Sequence, residues 1–162
     1  MLHKAFYDSP IGRLEIVGSE LGICSVRKVE PGDWQRSSDF PLALDCVRQL
    51  DEYFHHERQR FDLPIDWSGA PSFNRAVWEE LLKIPYGHTT SYLAIAEKLH
   101  NPKAVRAVGQ ASRSNPIAII VPCHRVIAKS GDLQGYFYGL DVKRKLLELE
   151  NPLSFAAQGS LF

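Results

Sequence analysis

Around residue 70 the chain changes the period of its apolar pattern, and that change limits the folds open to it. Before it, short runs separated by turn residues carry the apolar side chains: His3 to Tyr7, Arg13 to Val17 and Ile23 to Arg27 read as strands. Asp8-Ser9-Pro10-Ile11-Gly12 and Gly18-Ser19-Glu20-Leu21-Gly22 supply the turns between them. Residues 40–57 place Leu44, Val47, Leu50 and Phe54 at helical spacing, which predicts an amphipathic helix packed on that sheet. Phe61 to Pro64 reads as a further short strand, and 65–72, with Gly69-Ala70-Pro71, as a linker. The expected organisation is a first lobe over 1–68, a second over 72–152 and a loosely held, charge-poor tail over 153–162.

The second lobe reads as helices. Ser72 is placed to cap a helix carrying Val77, Trp78, Leu81 and Leu82, which ends at Pro85-Tyr86-Gly87. Residues 89–99 put Leu93, Ala96 and Leu99 on one face. Asn101-Pro102 interrupts the chain, and Ala104 to Ser114 forms another short helix. Helix, tight turn and small-residue helix is a helix-turn-helix pattern. Asn115-Pro116 ends it and feeds the apolar run Ile117-Ala118-Ile119-Ile120-Val121, which reads as a buried strand. Leu140 to Glu150 is the last helix, stopped by Asn151-Pro152.

The apolar run leads into Pro122-Cys123-His124-Arg125-Val126. Thiolate is the reactive form of cysteine, and a base beside it raises the thiolate population near neutral pH. Glu150 lies on the last helix, placed to orient His124. Taken alone, the pair is explained by a buried structural thiol beside a satisfied histidine; its surroundings point elsewhere. Ala104-Val105-Arg106-Ala107-Val108-Gly109-Gln110-Ala111 presents small side chains with one long cation among them. Such a helix can approach a surface closely, either another helix or a DNA groove with Arg106 entering the base stack.

With 162 residues the chain suits one ordinary domain or two small lobes. No apolar run nears the roughly 20 residues that span a bilayer, and the N-terminus lacks a signal-peptide core. Three cysteines without framework spacing point to a reducing, cytoplasmic setting. Net charge is zero but segregated: residues 1–84 hold ten basic and fourteen acidic side chains (net −4), and 85–162 nine and five (net +4). That distribution is consistent with a polyanion docking on the second half only, and permits DNA binding without showing it.

Pro122-Cys123-His124-Arg125-Val126 resembles the active-site signature of the O6-alkylguanine-DNA alkyltransferases, the methylated-DNA–protein-cysteine methyltransferases of bacteria and archaea. So do Val77-Trp78-Glu79, Ile84-Pro85-Tyr86-Gly87, Thr90-Ser91-Tyr92, the run Asn101 to Gly109, Asn115-Pro116, Gly135-Tyr136, Gly139-Leu140 and Lys143 through Leu147 to Glu150. The match is in register over about 73–150, and weaker in the first lobe. The resemblance implies an α+β fold: a ribonuclease H-like antiparallel sheet with a helix, then a winged helix-turn-helix alkyltransferase domain. It implies DNA repair by irreversible, single-turnover transfer of an alkyl group from O6 of guanine, and O4 of thymine, to cysteine.

By that resemblance Cys123 is the acceptor, His124 deprotonates it through a water, Glu150 holds the imidazole, Asn115 braces the turn and Tyr92 donates toward the leaving guanine. Arg106 is the intercalating finger. The DNA surface comprises Ala104, Val105, Arg106, Ala107, Gly109, Tyr92, Arg113 and Arg125. Val126, Phe137, Tyr138, Ala118 and Trp78 line the substrate pocket. The partner is double-stranded DNA containing O6-alkylguanine. No cofactor, metal or membrane is expected, and the chain is expected to act as a monomer, with self-association on DNA left open.

Two positions depart from the family pattern. Tyr138 stands where many relatives have a small residue and narrows the pocket, while Ala118 replaces a proline of some relatives and opens it. Some relatives bind zinc in the first lobe. Here Cys24, in a strand, and Cys46, in a helix, lack paired ligand spacing and read as core, although His3 is within conceivable reach of Cys24. A non-catalytic lesion sensor is disfavoured by the presence of Cys123. A cysteine hydrolase built on Cys123, His124, Glu150 and Asn115 leaves the Arg106 helix unexplained.

Overall fold

A computed structural model describes residues 1–30, 37–128 and 136–153. Among these the chain forms two compact units, one within Met1–Gly69 and Pro116–Ile120, the other within Ala70–Asn115 and 121–153. The calls on Gly135 and on the tail beyond Leu153 fall outside the described residues.

The first unit is an antiparallel sheet of β1 (His3–Ser9), β2 (Gly12–Gly18) and β3 (Ile23–Lys28), in that order, with helix α1 (Pro41–Phe54). Register pairs Ala5 with Ile16 and Ile16 with Val26, so these three apolar side chains lie in one buried row. The far edge of β3 is not left open: Ile23 bridges Ile65, and Val26 bridges Ile117, its N–H donating to Pro116 O at 3.0 Å. Helix α1 buries Ala43, Cys46, Gln49, Leu50, Tyr53 and Phe54. Its face is therefore rotated from the predicted one, for Leu44 is 43% exposed. Gln49 accounts for the rotation, because its side chain both donates to Asp62 O and accepts from Asp62 N–H. A paired buried amide satisfies the chain passing beneath the helix, where a leucine would leave that N–H unmade. Helix α1 ends in a Schellman turn: His56, at φ 60°, donates to Tyr53 O and Glu57 donates to Glu52 O.

Two predicted strands are corrected. Residues 61–64 form none, and the bridge falls at Ile65, inside the expected linker. Ile117–Val121 is buried but not extended, because Ile119 sits at φ 72° and turns the chain after the single bridge at Ile117. A left-handed isoleucine is strained, and burial of its side chain opposes that cost.

The second unit contains α2 (Ser72–Leu82), β4 (Thr90–Ser91), α3 (Tyr92–Lys98), α4 (Val105–Arg113), β5 (Val126–Ile127) and α5 (Leu140–Glu150). Ser72 opens α2 as its first residue and makes no capping bond, contrary to expectation. Ser91 does cap α3, accepting from Ala94 N–H at 3.0 Å. The expected helix over 89–99 thus begins three residues late, because Thr90 and Ser91 pair in parallel with Val126 and Ile127. A second Schellman turn ends α3, with His100 at φ 59° donating to Glu97 O and Asn101 to Ala96 O. Pro102 then starts a short 3-10 turn that runs into α4. This is the predicted helix-turn-helix, and the Trp78 indole locks α4 to α2 by donating to Ala111 O at 2.8 Å. No helix among the described residues is long and apolar enough to cross a membrane.

Candidate active site

Cys123 sits in a 3-10 turn, Cys123–Arg125, rather than at the end of a strand. Pro122 removes one backbone donor before it, and Cys123 N–H and Arg125 N–H close the turn on Val121 O and Pro122 O. The parallel pairing of β5 with β4 ties the end of this turn to the start of α3, and so relates Cys123 to Tyr92.

Cys123 is buried, 8% exposed. Asn115 points one N–H group at it, with Nδ2 3.3 Å from Sγ, and also donates to Val121 O at 2.8 Å. One amide therefore braces the turn and touches the nucleophile. Burial pushes the Cys123 thiol up from its ordinary range, opposed by the Asn115 hydrogen bond, the Lys143 charge and nearby backbone N–H groups.

His124 is fully buried, and its Nε2 lies 2.6 Å from Glu150 Oε2. Glu150 also accepts from Arg125 Nε at Oε1 (2.8 Å), from the second Arg125 nitrogen at Oε2 (3.0 Å) and from Gly87 N–H at Oε1 (3.2 Å). Gly87 stands at φ 78°, a conformation that favours glycine and that aims its N–H at the carboxylate. Burial alone would raise Glu150, but the His124 and Arg125 contacts hold it well below the usual carboxylate range. Burial holds His124 below its ordinary value, against the pull of Glu150. A neutral imidazole bonded to a carboxylate through Nε2 carries its proton there, which leaves Nδ1 as the acceptor. Nδ1 is buried and has no protein partner in the described structure.

Residues 72–152 match the 6-O-methylguanine DNA methyltransferase, DNA binding domain, and residues 2–67 match the ribonuclease-like domain of the same proteins. The chain belongs to the methylated-DNA–protein-cysteine methyltransferases. The methylated-DNA–protein-cysteine methyltransferase of Methanosarcina acetivorans is 44% identical over 92% of this chain and 98% of that protein. That of Mycobacterium bovis is 46% identical over 93% of each. The crystal structure of Mycobacterium tuberculosis O6-methylguanine methyltransferase matches with a TM-score of 0.82 at 45% identity over 94% of each chain. A Mycobacterium tuberculosis OGT in complex with DNA matches with 0.83 over 93% of each.

In this methyltransferase chain the predicted residues separate into those gathered at the thiol and those placed elsewhere. Asn115, His124 and Glu150 assemble as expected, by contact or through one another. Tyr92 is half-buried at the start of α3, and burial and the charge of Cys123 raise its phenol. On α4, Arg106, Ala107 and Arg113 are exposed, while Val105 and Gly109, and Ala104 in the 3-10 turn before it, are half-buried. Val126 is buried in β5. Phe137 is 71% exposed and meets the half-buried Tyr138 edge-on, with ring centroids 5.1 Å apart.

One placement departs from expectation, and two residues assigned to the pocket have further partners. Arg125 is not a DNA-facing cation: it is 6% exposed, and its guanidinium is engaged by Glu150 and by Ile84 O at 2.7 Å. Trp78 is 4% exposed, and its indole serves the α2–α4 contact. Ala118 belongs to the first unit, where its N–H donates to Val26 O. Cys46 is core as expected, but Cys24 is only part-buried, with its thiol against Asp66 Oδ2 at 3.7 Å. Among the described residues no cluster of three or more His, Cys, Asp or Glu is placed to hold a metal ion.

Two residues of the site carried no predicted role. Lys143 on α5 is fully buried, and burial lowers its ammonium to about 8, opposed by the charge of Cys123. Its Nζ lies 5.9 Å from the centre of the Tyr92 ring. Tyr136 is 9% exposed and its hydroxyl is buried without a hydrogen bond in the described structure. Both lie within motifs that matched the family pattern, which was the only signal available.

Proposed function

We propose that this chain repairs alkylated DNA by transferring the alkyl group from O6 of guanine to Cys123, once per molecule. The observation that carries the reading is the hydrogen-bonded chain Glu150–His124 beside a buried thiol held by Asn115. Cys123 gives its proton, through one bridging water, to His124 Nδ1. Sγ then bonds to the alkyl carbon as the carbon–O6 bond breaks, the electron pair passes to the purine, and the purine takes up a proton at N1 through solvent, balanced by the one His124 gives back, to become neutral guanine. Tyr92 donates a hydrogen bond to the purine as that charge develops. The product is a thioether, with no leaving group for water to expel, so the site is not regenerated.

A base inside a duplex cannot reach a buried thiol, so the nucleotide must leave the stack, at a cost of roughly a few kcal/mol. Helix α4 suits that task. Its exposed face carries Arg106 and Arg113, Lys103 precedes it, and the helix contains no carboxylate. Arg106 enters the vacated stack while Ala107 and Gly109 permit close approach. The second unit performs both binding and chemistry, and the first is structural. The protein acts as a monomer in the cytoplasm, and O4-alkylthymine is a second substrate of the same geometry.

The test is incubation with a duplex containing O6-methylguanine, followed by intact mass and peptide mapping. The expected result is one methyl group on Cys123, guanine restored in the DNA and no further conversion. Many conversions per molecule, or transfer by Cys123→Ala, overturns the assignment.

A further inference from the structure

Arg125 lies in the signature Pro-Cys-His-Arg-Val yet reaches neither solvent nor DNA. Its Nε and one terminal nitrogen grip the two oxygens of Glu150 at 2.8 and 3.0 Å, and its other terminal nitrogen donates to Ile84 O at 2.7 Å. The Tyr86 ring lies 5.8 Å from the guanidinium carbon. Every one of these groups is buried or half-buried. The carboxylate that orients His124 is thus already paired with a cation, and Oε2 is shared between guanidinium and imidazole.

That sharing has a chemical consequence. A buried carboxylate with the imidazole as its sole partner would draw a proton onto the ring, and imidazolium cannot accept the proton of a thiol. A guanidinium keeps its charge throughout the physiological range and matches both carboxylate oxygens at once. We propose that Arg125 is a positioning residue for the acceptor chemistry: it clamps and neutralises Glu150, so that His124 remains a neutral base with Nδ1 unprotonated. This rests on the alkyl-transfer reading and assigns Arg125 no contact with DNA or substrate. The charged and titratable groups facing His124 are Glu150 and Lys143 from α5, and Cys123 and Arg125 from its own turn. Tyr86 flanks the Glu150–Arg125 pair from the turn after α2.

The experiment measures single-turnover methyl transfer from duplex O6-methylguanine between pH 5.5 and 9, for the full chain and for Arg125→Lys and Arg125→Met. In parallel, nitrogen NMR of the histidine rings reads the protonation and tautomer of His124. In the native protein His124 is expected neutral at pH 7 with its proton on Nε2. Arg125→Lys, which keeps a buried charge but loses the fork, is expected to move the acid limb of the rate profile upward by about half a pH unit, roughly threefold in rate on that limb. Arg125→Met is expected to move it by about one unit, roughly tenfold, with the rate above pH 8.5 much less affected. An imidazolium at pH 7 in the native protein overturns the proposal. So does a uniform loss across all pH with an unshifted limb, the mark of a structural brace. Should Arg125→Met fail to fold, Arg125→Lys decides: an unmoved limb and an unchanged His124 titration overturn it. If the native chain takes no methyl group, the alkyl-transfer reading fails, while the NMR measurement still reports on Arg125.

Discussion

Lys143 shows how burial at one residue sets the reactivity of another. Its ammonium lies within electrostatic reach of Cys123, and burial brings it down to about 8. Below that pH the lysine is charged and favours the thiolate; above it the support is lost. Lys143→Met keeps the length and removes the charge, so the Cys123 titration is expected to move upward. The rate of Cys123 carboxamidomethylation by iodoacetamide at pH 7.5 is expected to fall severalfold, with the midpoint of its pH profile shifted to higher pH. An unchanged midpoint would remove Lys143 from the electrostatics of the site. The role was not legible in the sequence, because Lys143 stands among the charged Asp141, Arg144 and Lys145, and nothing local marks it as the one that is buried. Arg125 misled for the same reason: a charged side chain is taken for surface unless its partner is known, and that partner lies 25 residues away. Cys123, His124 and Glu150 were legible, since the motif and the final helical turn imply their meeting.

At the scale of elements, the strands of the first sheet and the order of the helices followed from period and turn chemistry. What pattern could not supply was decided by bonds to distant segments. Gln49 rotates α1 because residue 62 runs beside it. The run Ile117–Val121, apolar enough for a strand, bends at Ile119 after one bridge to Val26. Helix α4 allows fold and function to be tested separately. A Cβ added at Gly109 would meet only Tyr92 ring carbons, at 3.9 and 4.0 Å, which is ordinary contact. Gly109→Ala is therefore expected to stabilise the protein by about 0.5–1 kcal/mol in urea unfolding, through helix propensity alone. Arg106→Ala, at an exposed position, is expected to leave stability within about 0.5 kcal/mol. It should slow repair in duplex DNA at least tenfold more than reaction with free O6-benzylguanine. Equal slowing on both substrates would deny Arg106 its place in the base stack.

Across the whole molecule, the chain visits the first unit twice, since Pro116–Ile120 belongs with Met1–Gly69 while the residues on either side belong to the second. The two units also hold different acid-sensitive groups. In the second, His124 is held below its ordinary 6.5 and Glu150 below its ordinary 4.5. In the first, hydrogen bonds from Ser19 and Ser68 lower Asp66 from 3.8 to about 2. Each group takes up its proton at higher pH in the unfolded chain than in the folded one, so stability falls as pH falls. His124 and Glu150, both buried, each contribute a slope of up to about 1.4 kcal/mol per pH unit. Urea unfolding should therefore show stability falling gently below pH 6.5, as His124 alone is protonated on unfolding, and more steeply below about 4.5, when Glu150 joins it. Glu150→Gln is expected to lower stability at every pH, by roughly 3–5 kcal/mol, because it strips the buried Arg125 of its partner. The discriminating quantity is the slope. In that variant the steepening below pH 4.5 should shrink, leaving the share that Asp66→Asn removes in an otherwise native chain. A Glu150→Gln protein that keeps the full steepening would mean that the acid sensitivity lies outside the Glu150–His124–Arg125 cluster, and that the carboxylate is not held ionised by its neighbours.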